Sequence, residues 1–256
     1  MNLPDLVPPV VDRLVAAGCV AAEAEAADLL AAAPDRDTLE RWLARREQGE
    51  PLAWITGTLR FCGRPIHVAR GVYVPRFQSE DLAWRATSRL PERGCALDLC
   101  TGAGAIAAHL RASVPGARVV GVDLDPRAAG CARRNGVPSL VGDLDAPLRP
   151  GALVDLVTAV APYVPTAQLA LLPGDVQRYE PRLALDGGAD GLDLVRRVVD
   201  AAIRVLRPGG WLLVEVGADQ DQELGPTLGA GAFDEVTAWR DDEGDLRGIA
   251  ARRSDS

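Results

Sequence analysis

Ala96-Leu97-Asp98-Leu99-Cys100-Thr101-Gly102-Ala103-Gly104-Ala105 decides the fold. Cys95–Leu99 reads as a strand and Ala103–Ser113 as the helix that follows it. The glycines between them let the backbone turn tightly and let a ligand come close to the chain. The helix N-terminus then presents free N–H groups. Gly102-x-Gly104-x-x-Ala107 also fits the dinucleotide fingerprint, so this segment alone leaves the ligand class open.

Working outward, the same alternation continues. Arg118–Val122 reads as a strand. Pro126–Arg134 reads as a helix, with Asp125 as N-cap and Pro126 in the first helical position. Leu140–Val141 and Val154–Val160 read as strands, Leu192–Leu206 as a helix stopped by Pro208, Gly209 and Gly210, and Trp211–Val216 as a strand. Strand and helix at this spacing predict a parallel, doubly wound α/β sheet with helices on both faces. Val236–Trp239 and Arg247–Ala251 flank the polar loop Asp241–Asp245 and predict an antiparallel hairpin on one sheet edge. Upstream, residues 51–75 hold short apolar runs (Ile66–Val68, Val72–Val74) punctuated by Gly57, Gly63 and Gly71, as in a hairpin or extended linker. Residues 1–50 read as helices only. Val10, Val11, Leu14 and Val15 fall at helical spacing, as do Ala26, Leu29 and Leu30, and then Leu39, Trp42 and Leu43. The expected organisation is a helical substrate-recognition or lid domain over 1–50, a hairpin linker over 51–75 and a cofactor-binding domain over 76–256.

Bulk properties narrow the function. Hydrophobic residues make up 48% of the 256 positions, enough for a large core. The net charge of −8, from 28 basic and 36 acidic residues, disfavours a protein that grips nucleic acid or an anionic membrane by broad attraction. No apolar run approaches a membrane span, and Met1–Pro9 lacks the pattern of a secretion signal, so a cytoplasmic location is expected; a monomer is the separate expectation for its assembly. Cys19, Cys62, Cys95, Cys100 and Cys131 are scattered and odd in number. They are expected to be reduced thiols packed as small hydrophobes, with no metal site.

Three acids stand at three successive strand ends. Asp98 sits just before the glycine loop, where its carboxylate can accept from an ammonium and would repel a pyrophosphate. That favours S-adenosylmethionine over a dinucleotide. In Gly121-Val122-Asp123, Asp123 is placed to take both ribose hydroxyls of an adenosine. It would serve a dinucleotide equally, so Asp98 discriminates. In Gly142-Asp143-Leu144, Asp143 is placed to accept from the adenine amino group, with Leu144 against the ring. Cys100, Thr101, Gly102, Gly104, Leu124 and Val160 complete the expected cofactor contacts. Each acid alone could be a helix cap or a turn former; three in series point to a ligand.

Further motifs follow in a fixed order: Gly49-Glu50-Pro51-Leu52-Ala53-Trp54-Ile55-Thr56-Gly57, Phe61-Cys62-Gly63 and Gly71-Val72-Tyr73-Val74-Pro75-Arg76. After the Asp98–Gly104 loop come Ala161-Pro162-Tyr163-Val164-Pro165 and Glu180-Pro181-Arg182-Leu183-Ala184-Leu185-Asp186-Gly187-Gly188-Ala189-Asp190-Gly191-Leu192. From about residue 10 to 252 the chain resembles the bacterial protein-(glutamine-N5) methyltransferases of the HemK/PrmC type, especially short actinobacterial members of unassigned substrate. The resemblance implies a class I S-adenosylmethionine-dependent methyltransferase fold, Rossmann-like, with a mostly parallel seven-stranded sheet. It also implies an acceptor site in which an Asn-Pro-Pro-Tyr motif aligns the substrate glutamine by orientation and electrostatics.

The aligned stretch here is Val160-Ala161-Pro162-Tyr163. Valine has no side-chain hydrogen-bonding group, so a polar amide beside it loses a partner, at a cost of roughly 1–3 kcal/mol. The Ala161 carbonyl remains, and Tyr163 is expected beside the acceptor. Upstream the family often reads Pro-Arg-Pro-Glu-Thr-Glu, where this chain has Pro75-Arg76-Phe77-Gln78-Ser79-Glu80. Arg76 is expected to be either a substrate contact or an ion pair, and Glu215 to orient a loop. Three functions fit: methylation of a different acceptor such as a small molecule, glutamine methylation of a release factor or ribosomal protein, or cofactor binding without turnover.

Overall fold

The computed structural model describes residues 3–229 and 231–255. Three helices open the chain: α1 (Leu3–Ala16), α2 (Ala22–Ala32) and α3 (Arg36–Glu47). Asp35 caps α3 by accepting from the Thr38 backbone N–H at 2.7 Å, which satisfies one of the helix's orphan donors. Leu14, Leu29 and Leu43 close a small apolar core of their own, while Val15 points outward. Next comes α4 (Leu52–Thr56), then a hairpin of β1 (Thr58–Phe61) and β2 (Arg64–His67). The expected hairpin is present, and a helix precedes it. Being five residues long, α4 is too short to give a period. It stands at the seam of two cores: Ile55 and Leu52 pack with the N-terminal helices, Ala53 and Trp54 with the main domain.

After α5 (Glu80–Thr87) the chain alternates: β3 (Cys95–Leu99), α6 (Ala105–Ser113), β4 (Arg118–Asp123), α7 (Pro126–Arg134), β5 (Ser139–Val141) and β6 (Val154–Ala159). It continues through α8 (Gly174–Tyr179), α9 (Asp193–Val205), β7 (Leu206–Glu215), α10 (Gln220–Leu228), β8 (Phe233–Arg240) and β9 (Leu246–Arg253). The sheet runs β5-β4-β3-β6-β7-β9-β8, parallel as far as β7 and antiparallel at β9 and β8. Its central strands are buried on both faces, while the edge strands β5 and β8 are largely exposed. Ala96, Leu156 and Leu213 meet α5, α6 and α7; Leu97, Val157 and Leu212 meet α9 and α10. Strand order reverses between β3 and β6, which opens a crevice at their carboxyl ends.

Several boundaries differ from the sequence expectation. Strand β6 stops at Ala159, its last partner being Leu99, so Val160 lies in the loop beyond. The α6 helix starts at Ala105, because Gly104 adopts φ +79°, outside the right-handed helical region. Helix α9 stops at Val205, and Leu206–Gly210 is already extended, since Pro208 has no N–H to continue the helix and disfavours it for the residue before. Helices α5, α8 and α10 were not expected; Pro226 inside α10 masks its pattern.

Candidate functional site

Three contiguous hollows run along the crevice, all touching Cys100. The first is lined by Asp98, Thr101, Ser79 and Val160, the second by Gly102, Asp123 and Leu124, and the third by Asp143, Leu144 and Leu183. Cys100 has φ 53° and Leu144 φ 49°, a region costly for non-glycine residues, and both stand where the chain wraps the crevice.

Asp98 is fully enclosed. Its two oxygens accept from the Thr101 hydroxyl at 2.5 Å and the Thr158 hydroxyl at 2.7 Å, Thr158 being its register partner on β6. Burial pushes its carboxyl up to about 6, with the two hydroxyls pulling the other way. Gly121, opposite on β4, leaves room for Thr101; a Cβ there would sit 2.8 Å from its hydroxyl. Asp123 accepts from the Gly102 N–H at 2.8 Å and the Asp125 N–H at 2.9 Å, one on each oxygen. Each oxygen has acceptor capacity left, and the residue borders the second and third hollows, which suits a vicinal diol. Burial raises this carboxyl as well. Asp143 is half exposed and ion-paired with Arg197 at 2.7 Å. Leu124 and Leu183, largely exposed, offer apolar faces to a planar ring. The donor set therefore fits an adenosine bearing a charged amino-acid tail: deep carboxylate, diol-facing carboxylate, apolar ring walls.

A larger cavity of about 780 Å³ adjoins the hollows. Val160, Ala161, Pro162 and Tyr163 line it, together with Arg76, Glu215 and Arg247. Residues 17–21, Glu25, Arg46 and Gly49 form its outer wall. Tyr73 and Val160 border this cavity and both of the first two hollows, so they frame the junction between them. Arg76 is ion-paired with Glu180 and lies over the Tyr73 ring at 5.1 Å, so its charge is already partnered. The Tyr163 hydroxyl donates to Glu215 Oε1 at 3.0 Å, and Ser79 donates to Glu215 Oε2 at 2.6 Å.

The four motif residues and the three acids thus gather around one crevice. Sequence reasoning missed Tyr73, Ser79 and Thr158. Thr158 had a signal: a lone hydroxyl in an apolar strand needs a partner. The five cysteines are unbridged; Cys131 is buried and shares hydrogen bonds with Ala69 N–H and the His67 carbonyl. Among the described residues no helix is long and apolar enough to cross a membrane.

No protein-family model matches the chain. Among curated proteins it is 43% identical over 188 residues to the release factor glutamine methyltransferase of Geobacter sulfurreducens, covering 71% of this chain and 66% of that one. It is 39% identical over 228 residues to the Mycobacterium leprae protein of the same name, covering 84% and 78%. The chain spans just under two thirds of the length of the Geobacter relative. Among solved structures the fold is shared with the hMettl16 catalytic domain bound to an RNA hairpin (TM-score 0.58, 15% identity, 84% and 82% covered). It is also shared with the ribosomal protein L11 methylase of Lactobacillus delbrueckii subsp. bulgaricus (0.54, 16%, 74% and 85%). The architecture is that of class I S-adenosylmethionine-dependent methyltransferases, and the chain belongs to the release factor glutamine methyltransferase family, whose cofactor is S-adenosylmethionine.

Proposed function

We propose that the protein transfers a methyl group from S-adenosylmethionine to an acceptor other than the glutamine side-chain amide. One observation carries this: Val160, where the family motif has Asn, stands at the junction of the acceptor cavity and the cofactor hollows. The cofactor supplies an electrophilic methyl carbon on a sulfonium. Asp123 would hold the ribose hydroxyls and Asp98 the ammonium, with Leu124 and Leu183 on the adenine. Tyr73, Val160 and Pro162 line the junction where the transferred methyl would meet the acceptor. A glutamine amide against Val160 lacks the acceptor an Asn provides, and its delocalised lone pair needs alignment most in the transition state. An oxygen, nitrogen or carbon nucleophile of a small molecule does not depend on that bond.

Glutamine methylation of a release factor is the second reading. It is favoured by the relatives' name and by the retained Pro162-Tyr163, whose hydroxyl is held by Glu215. Wild type and Val160→Asn, assayed side by side on a glutamine-bearing release factor and on a small-molecule pool, separate the two. We expect wild type to act on the pool and Val160→Asn to lose that activity while gaining transfer to glutamine. Wild-type transfer to glutamine equal to that of an Asn-bearing relative overturns the first reading.

A further inference from the structure

Tyr163 is held at both ends by residues far away in sequence. Its hydroxyl donates to Glu215 on the last position of β7, and its backbone carbonyl accepts from Gln220 Nε2 at 2.9 Å. Gln220 is itself fixed, its side-chain oxygen accepting from the Gly217 N–H at 3.0 Å. The carbonyl lies so close to Gly191 that a Cβ there would be 2.3 Å away. Glu215 and Gln220 are both buried, as is Ser79, which occupies the other Glu215 oxygen. Ser79 borders the cofactor hollow of Asp98 and Thr101, while Glu215 and Tyr163 border the acceptor cavity. The chain Ser79–Glu215–Tyr163 therefore runs from one compartment to the other.

A carboxylate is a costly group to bury when its only task is to anchor a phenol, because several kcal/mol of hydration are lost. Glutamine or a backbone carbonyl would anchor it more cheaply. A carboxylate has an advantage where two hydroxyls must be held at once, each by a charge-assisted bond of fixed direction, as Tyr163 and Ser79 are here. We infer that Glu215 is a positioning residue of the methyl-transfer reaction, which fixes the Tyr163 ring in the acceptor cavity and ties it through Ser79 to the cofactor hollow. With no polar side chain at position 160, the placement of the acceptor relies more heavily on Tyr163. The inference rests on the methyltransferase reading only in taking this cavity as the acceptor's.

The test uses the full chain and begins without any acceptor. Tyrosine-labelled protein gives ring resonances for Tyr73, Tyr163 and Tyr179, and Tyr163→Phe identifies the one in question. Glu215→Gln should shift and broaden the Tyr163 signal and leave that of Tyr179 in place. Ser79→Ala should move the same signal through Glu215, and it serves alone should Glu215→Gln not fold. Methyl transfer to whichever acceptor wild type uses, from the small-molecule pool or the glutamine-bearing release factor, is then measured for Glu215→Gln, Tyr163→Phe and the double variant. Hydrogen bonds to a charged group predict about a ten- to hundredfold loss of kcat for each single change, with KM for S-adenosylmethionine unchanged. The double variant should lose no more than the worse single one. A Tyr163 resonance indifferent to Glu215 and Ser79, or losses that multiply in the double variant, overturns the inference. Absence of transfer by wild type to either kind of acceptor counts against the proposed function and leaves the resonance test to decide this inference.

Discussion

The Tyr179 hydroxyl donates to the backbone carbonyl of Gln48 across 3.0 Å, joining α8 to the end of α3. Trp54 meets the same ring edge-on at 6.4 Å between centroids. The N-terminal helices are thereby seated on the rim of the acceptor cavity, where residues 17–21 form the outer wall. None of the described residues before Phe61 borders the cofactor hollows. Deleting residues 1–48 should therefore leave the S-adenosylmethionine dissociation constant within about threefold, under 1 kcal/mol, and abolish turnover. Calorimetry on a truncated chain that still shows its sheet by circular dichroism checks this; loss of cofactor binding there contradicts it.

Asp98 ionises at about 6 in the folded chain, above the ordinary range near 3.9. A raised acid binds more protons folded than unfolded, so its burial costs nothing below about pH 4 and the full amount above about pH 6. Wild type should lose up to ~3 kcal/mol of stability relative to Asp98→Asn as pH rises across that window. Cofactor affinity should run the other way, since an ammonium attracts the ionised form: weaker below pH 6, stronger above. Urea denaturation and titration at stepped pH measure both. A pH-independent difference between the two proteins contradicts the assignment.

Asp123 borders the cleft with acceptor capacity left on both oxygens, while two backbone N–H groups hold it still. Each hydrogen bond to a charged acceptor is worth about 1.5–3 kcal/mol. Asp123→Ala should weaken S-adenosylmethionine binding at least a hundredfold, by about 3 kcal/mol. Binding that stays within about tenfold, or ~1.4 kcal/mol, of wild type would show that the diol is held elsewhere.

Gly121→Ala probes the same floor from beneath. The new methyl would meet Thr101 Oγ1 at 2.8 Å and its Cγ2 at 2.9 Å, in a strand with no slack on either side. Overpacking of this kind costs typically ~1–3 kcal/mol. We expect a lowered melting temperature together with weaker cofactor binding, because Thr101 is pushed away from Asp98. An unchanged melting temperature would mean that the loop yields freely.

Much of this was legible in the chain. The Asp98–Gly104 turn and the regular spacing after it gave the sheet, because a parallel strand covered on both faces must be apolar nearly throughout. Asp98, Asp123 and Asp143 were legible as strand-end acids, yet their environments were not: Asp98 came out enclosed by two hydroxyls, Asp143 half exposed beside Arg197. Contacts between segments far apart in sequence leave no local mark. Ser79 and Glu215 are 136 positions apart, and nothing near either one names the other. Short helices such as α4 complete too few turns to show a period, and Pro226 disguised α10.

The two-compartment wall also has a kinetic consequence. The acceptor cavity and the cofactor hollows share the Tyr73–Val160 frame, but the outer wall of the former comes from residues 17–49, which take no part in the latter. Neither ligand needs the other to build its own surroundings. Initial-rate patterns should intersect, as for a random order of addition, and a methylated acceptor can depart while the spent cofactor is still in place.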